Sequence, residues 1–195
     1  YIQLLKTICK KNDILICFDE MQAGFGRTGK NFGFQHYDIS PDLVCCGKGM
    51  GGGEALSGVV GKKKIMDLPE VGNMSSTNSA NPIACNAGLA VIEEIEKKKL
   101  ADNARIKGEL LHKNLLDISH KFPDLINIYG KGLIAAIVFN KNYKNINKKL
   151  KQLVELCIQD GLLLVYTGRE SVKIGPPLTI TKDAINEGTK IIKKN

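Results

Sequence analysis

The sequence has no apolar run approaching the roughly 20 residues that cross a bilayer. Runs such as Ile14 to Phe18 and Gly132 to Phe139 have strand length, so no membrane partner is expected. Arginine is scarce, at three of the 28 basic residues, and no aromatic residue is interleaved with the lysine clusters. Those clusters (Lys62 to Lys64, Lys97 to Lys99, Lys148 to Lys151, Lys193 to Lys194) divide a formal charge of +8 among separate short stretches. Nucleic-acid readers gather arginine and aromatics on one surface, so the pattern reads as a solvated lysine-rich exterior without a nucleic-acid partner. Neither an initiator Met nor a signal-peptide pattern is present at Tyr1, which stands inside an amphipathic pattern (Ile2, Leu4, Leu5, Ile8, Cys9); the start is read as a cut. No repeat or low-complexity linker occurs, and 43% hydrophobic residues exclude disorder as the main state.

The six cysteines (Cys9, Cys17, Cys45, Cys46, Cys85, Cys157) include no CxxC pair, and His36, His112 and His120 lie far from any cysteine pair. That spacing argues against a zinc site, and no metal is expected. The cysteines lie in apolar segments and are expected to be buried, reduced thiols of a cytoplasmic protein.

What is present is an alternation of short apolar runs with glycine-rich turns over the first hundred residues. Ile14 to Phe18, Leu43 to Cys46 and Leu56 to Val60 read as strands buried on both faces, as in the parallel sheet of an α/β protein. From Asn81-Pro82 the pattern turns helical, with acids preceding Lys97 to Lys99 as the helix dipole favours. A second helix is expected from Asp102 to His120. The remainder reads as a smaller α+β unit, with strands near Leu125 to Tyr129, Gly132 to Phe139, Leu162 to Tyr166 and Val172 to Ile174. Helices are expected near Ile146 to Gln159 and Lys182 to Lys193, and a tight turn at Gly130-Lys131-Gly132. The domain boundary is placed near residue 100, giving units 1–100 and 101–195.

In open α/β sheets ligands gather at the carboxyl ends of strands. Gly24 to Gly29 matches GxGxxG after a strand, but Lys30 to Tyr37 carries no helical stripe to present a helix N-terminus to a pyrophosphate, and Asp19-Glu20 puts negative charge there. A P-loop reading of Gly47-Lys48-Gly49 fails, because Asp42 and Gly49 stand where Gly and Ser or Thr are required.

Two residues remain. Lys48 ends a strand and is followed by Gly49, Gly51, Gly52 and Gly53. A strand-end lysine is ordinarily a surface residue; buried beside backbone-only residues, its amine would be uncharged and able to form an imine. Asp19 ends the strand Ile14 to Phe18. It reads as a cap or solvent-facing acid, or as a buried anion paired with a cation such as a protonated pyridine nitrogen.

Asp19 to Gly29, Pro41-Asp42-Leu43-Val44 leading to Lys48, Thr77 before Asn81-Pro82, Gly130 to Leu133 and Pro176 to Ile180 occur in this order. Together they resemble the class III pyridoxal-phosphate-dependent aminotransferases, over about residues 1 to 182. The resemblance implies the C-terminal part of a fold type I large domain, mainly a parallel sheet, followed by a small α+β domain. It implies pyridoxal 5′-phosphate held by Lys48 as a Schiff base, with Asp19 on the pyridine nitrogen, Gln22 on the phenolic oxygen and Thr77 on the phosphate across a homodimer interface. Lys48 would also move the proton, and the partners would be an amino acid or amine and a 2-oxo acid. Two departures stand out: Lys173 occupies a position before Pro176-Pro177 where many members have a substrate-facing arginine, and the half that precedes these motifs in the family is absent. Racemase and mutase chemistry on the same constellation, and a non-catalytic domain, remain as alternatives.

Overall fold

The computed structural model describes residues 1–195 and divides into two units, Tyr1–Ala101 and Asp102–Asn195. The first opens with helix α1 (Ile2–Lys11), whose last turn carries Lys10 and Lys11, cations placed against the negative end of the helix dipole. Asn12 ends it, with its amide Nδ2 donating to the Ile8 carbonyl at 2.8 Å.

Three strands follow: β1 (Cys17–Asp19), β2 (Leu43–Cys46) and β3 (Gly58–Gly61). β1 pairs parallel to β2 in the register Cys17↔Leu43 and Asp19↔Cys45, while β3 pairs antiparallel to β2. The sheet is therefore mixed rather than uniformly parallel. Nor are its strands buried on both faces: Ile14 and Leu15 are exposed and precede the ladder, and Val59 and Val60 are exposed on β3. The reason is positional, since β1 and β3 are the edges of a three-stranded sheet and only β2 has a neighbour on each side. β1 begins at Cys17 because the Ile16 N–H is already taken by the Asp42 carboxylate at 2.8 Å. Asp42 also receives Lys62 at 2.7 Å. The Lys62 hydrogen bond, then the Ile16 N–H, hold its carboxyl below the usual range.

Two elements frame the turn after β2. A 3₁₀ helix (Lys48–Gly51) follows it directly, and α3 (Pro82–Lys97) packs against that turn. α3 starts where a cap and a preset φ coincide: the Asn81 side chain accepts the Ile83 N–H at 2.9 Å and Pro82 occupies the first turn. Ala84, Gly88 and Ile95 form its buried face. Gly88 allows a close approach, since a Cβ there would lie 2.6 Å from Leu56 Cδ2 and displace that methyl group. A short helix α2 (Lys63–Met66) precedes the exposed stretch that leads to α3.

The second unit contains most of α4 (Leu100–Ser119), then β4 (Ile126–Lys131), β5 (Ile134–Phe139), α5 (Ile146–Gln159), β6 (Val165–Tyr166), β7 (Ser171–Ile174) and α6 (Lys182–Lys194). The strands form an antiparallel sheet in the order β4-β5-β7-β6. Lys131 pairs with Ile134, so the β4–β5 turn is centred on Gly132-Leu133 rather than on Lys131. Only the first of these has positive φ (Gly132, +60°), as in the type II′ turn that suits the strand twist of hairpins. Ala135 and Ile137 from β5 and Val172 and Ile174 from β7 meet Leu111, Leu115, Leu150, Cys157 and Ile185 in one core. Thr181 caps α6 by accepting the Ala184 N–H at 3.1 Å.

Candidate active site

The parallel pairing of β1 and β2 brings their carboxyl ends side by side, and the two residues singled out in the sequence lie there. Asp19 is the last residue of β1, directly opposite Cys45, and Lys48 stands three residues past Cys45. Asp19 Oδ1 accepts the Met21 N–H at 3.0 Å, which turns the chain at the end of the strand. Gln22 follows in the same turn and is exposed.

Lys48 has φ +50°, a left-handed backbone at a non-glycine residue. Such a conformation costs on the order of 1–3 kcal/mol and concentrates at functional sites. Here it swings the chain from β2 into the 3₁₀ turn, with buried Gly47 before it and buried Gly51 closing it. A Cβ at Gly47 would lie 2.5 Å from Met21 Sδ, so a side chain there would displace the Met21 thioether.

The buried, uncharged amine expected at position 48 is not observed: Lys48 is exposed. Asp19 is likewise exposed rather than a buried anion. Asp19 lies at the end of an edge strand, and Lys48 opens a turn against which α3 packs without covering the lysine. The buried acid is instead Glu20, 1% exposed. The expectation of buried cysteines fails for the same reason at Cys17, which is exposed; Cys9, Cys45 and Cys85 are half-buried, and only Cys46 and Cys157 are buried. Cys17 and Cys45 lie 3.6 Å apart, sulfur to sulfur, on the Asp19 face of the two strands. Partial desolvation, followed by the contact with Cys45, raises the Cys17 thiol pKa. Burial, then the Glu20 charge, raises that of Cys46.

Thr77 is exposed on the stretch before α3, and Lys173 is half-buried on β7 of the second unit, between Val172 and Ile174 whose side chains enter that unit's core. The glycine-rich segment 24–29 is a series of turns and no α-helix follows it, which removes the helix N-terminus a dinucleotide would need.

An amine and a carboxylate at neighbouring strand ends, with no ion pair joining either to another residue, suit a ligand with a carbonyl at one end and a protonated ring nitrogen at the other. The donor chemistry therefore fits pyridoxal phosphate: Lys48 for the aldehyde, Asp19 for the nitrogen and the Gln22 amide for the ring oxygen.

The family model described as Aminotransferase class-III matches residues 1–195. An acetylornithine aminotransferase of Synechocystis sp. is 36% identical over 195 residues, covering all of this chain and 44% of that protein. A leucine/methionine racemase of Thermococcus litoralis is 36% identical over 192 residues, covering 96% of this chain and 43% of that protein. Among solved structures, an acetylornithine aminotransferase from Elizabethkingia anophelis superposes with a TM-score of 0.87 at 33% identity, over 97% of this chain and 47% of that one. An ornithine aminotransferase from Plasmodium yoelii does so with a TM-score of 0.90 at 32% identity, over 100% of this chain and 50% of that one. The chain thus spans about half the length of the relatives it matches.

Proposed function

Because this chain belongs to the class III aminotransferase family, we propose that it carries the lysine-and-acid half of a pyridoxal-phosphate-dependent aminotransferase, which moves an amino group from an amino acid or amine to a 2-oxo acid. The observation that supports this reading most is that Asp19 ends β1 opposite Cys45 of the adjacent parallel strand β2, with Lys48 three residues past Cys45. When bound, pyridoxal phosphate supplies an aldehyde that takes up amines and a ring that draws electrons from the substrate carbon.

The protein's own residues do the rest. Lys48 Nζ would offer the amine that holds the aldehyde and, as a free amine, would take a proton from the substrate carbon and give it back at a cofactor carbon. Asp19 would keep a proton on the ring nitrogen through its carboxylate. Gln22 donates its amide N–H to the phenolic oxygen, and Thr77 donates its hydroxyl to the phosphate of a homodimeric partner. Lys173 offers a point charge to a substrate carboxylate, without the two-pronged geometry of arginine. Burial of the amine at position 48 falls to the remaining half of the fold. The six free cysteines suit a cytoplasmic protein.

The racemase relative makes proton return to the same carbon the second reading, since Lys48 could serve both reactions. A half-reaction separates them. The pyridoxal-phosphate-loaded protein, mixed with a panel of L-amino acids and no acceptor, is expected to release one equivalent of 2-oxo acid per site from its donor. Loss of optical rotation with no 2-oxo acid formed would favour racemisation.

A further inference from the structure

We propose that Glu20 is a positioning residue: it holds the loop that carries Gln22 against the end of β1 and so sets where Gln22 and Asp19 meet the cofactor. The inference rests on the roles given above to Asp19 and Gln22.

Adjacent strand residues point to opposite faces. Asp19 is exposed, whereas Glu20 is turned inward and 1% exposed. A carboxylate so placed must find donors. Oε2 accepts the Gly33 N–H at 2.9 Å and Oε1 the Phe34 N–H at 2.8 Å. Its main chain is equally engaged: the Glu20 N–H donates to the Cys45 carbonyl at 2.9 Å, and its carbonyl accepts the Gly24 N–H at 3.0 Å. One residue therefore ties together the end of β1, the strand leading to Lys48, the first turn of the loop and, 13 residues on, the loop's return. Gln22 lies inside that closure.

The fit is tight from both sides. A Cβ at Gly33 would stand 3.2 and 3.3 Å from the two carboxylate oxygens and 3.0 Å from Ala23 Cβ. Rings brace the return: Phe34 meets Phe18 of β1 edge-on at 5.9 Å between centroids and stacks on Phe32 at 5.7 Å. A glutamine at position 20 keeps the shape but replaces one acceptor by an amide donor facing an N–H donor. An alanine at position 33 presses on the same carboxylate from the other side.

The experiment compares holoenzyme of wild type, Glu20→Gln, Gly33→Ala, Gln22→Ala and Glu20→Gln/Gln22→Ala. It reads the Kd for pyridoxal phosphate, the pH midpoint of the bound cofactor's absorbance, and Tm. Glu20→Gln is expected to weaken pyridoxal phosphate about 10-fold. It is also expected to move the absorbance midpoint in the same direction as Gln22→Ala, with Gly33→Ala following. Adding Gln22→Ala to Glu20→Gln is expected to change Kd less than about 2-fold further, because the loop is already displaced. Effects of Glu20→Gln and Gln22→Ala that multiply would overturn the proposal. So would a lowered Tm with Kd and absorbance unmoved in both Glu20→Gln and Gly33→Ala. Wild-type protein with no bound-cofactor absorbance would overturn the functional reading itself and the Glu20 role with it, whereas a normal wild-type signal unmoved by the variants overturns the Glu20 role alone.

Discussion

Replacing Lys48 by alanine is expected to lower amino-transfer turnover about 10⁴-fold while leaving Tm within about 2 °C of wild type. The size follows from losing both the amine that holds the aldehyde and the group that moves the proton, of which general acid–base catalysis alone contributes ~10²–10⁴. The unchanged stability follows from the structure: Lys48 is exposed and enters no ion pair. Its left-handed φ of +50° is no harder for alanine than for lysine. Surface changes of this kind usually stay within about 0.5 kcal/mol. Stopped-flow turnover and a thermal melt on the same preparation check both halves. Activity retained within tenfold would remove Lys48 from the chemistry, and a large fall in Tm would make it a structural residue.

The second large effect is expected in the core of the second unit. Leu115 lies on α4, 0% exposed, in the core formed with Leu111, Ile118 and the sheet residues Ile137 and Val172. Leu115→Ala removes three carbons from a space that close-packed neighbours cannot refill, at a cost of about 3–4 kcal/mol. For a unit of this size that is a drop of about 10–30 °C in the melting transition, followed by circular dichroism. Its neighbour Leu116 is 43% exposed, and Leu116→Ala is expected to shift the transition by no more than a few degrees. Equal effects at the two positions would mean that α4 does not present Leu115 to the core.

These contrasts show what a sequence can carry. The bounds of β2 and α5 follow from local pattern, and α3 begins at Asn81-Pro82 because both the cap and the preset φ are written in two residues. The β4–β5 turn lies one residue later than the glycine spacing suggested, because pairing of Lys131 with Ile134 leaves Gly132 as the first central residue. Burial was the least legible property. A continuous apolar run such as Ile14 to Phe18 shows that a face is sticky but not what lies against it, and in this chain Ile14 and Leu15 remain exposed. The antiparallel direction of β3 was hidden for a related reason: direction depends on the path of residues 47 to 57, whose glycines permit several.

At the candidate site, residue type and strand-end position made Asp19 and Lys48 stand out, since a carboxylate or an amine at the end of an apolar run is rare enough to be noticed. Glu20 did not, although it is the acid that is buried. Its partners are the N–H groups of Gly33 and Phe34, which no side-chain pattern announces. The one available hint was geometric: two consecutive acids on a strand cannot both face the same side.

The most direct measurement loads the protein with pyridoxal phosphate, reduces it with borohydride and maps the modified peptide by mass spectrometry. A single pyridoxyl group fixed on Lys48, lost in Lys48→Ala and weakened in Asp19→Ala, is the predicted result. Stoichiometric labelling of another lysine, or of none in protein that melts cooperatively, would contradict the account.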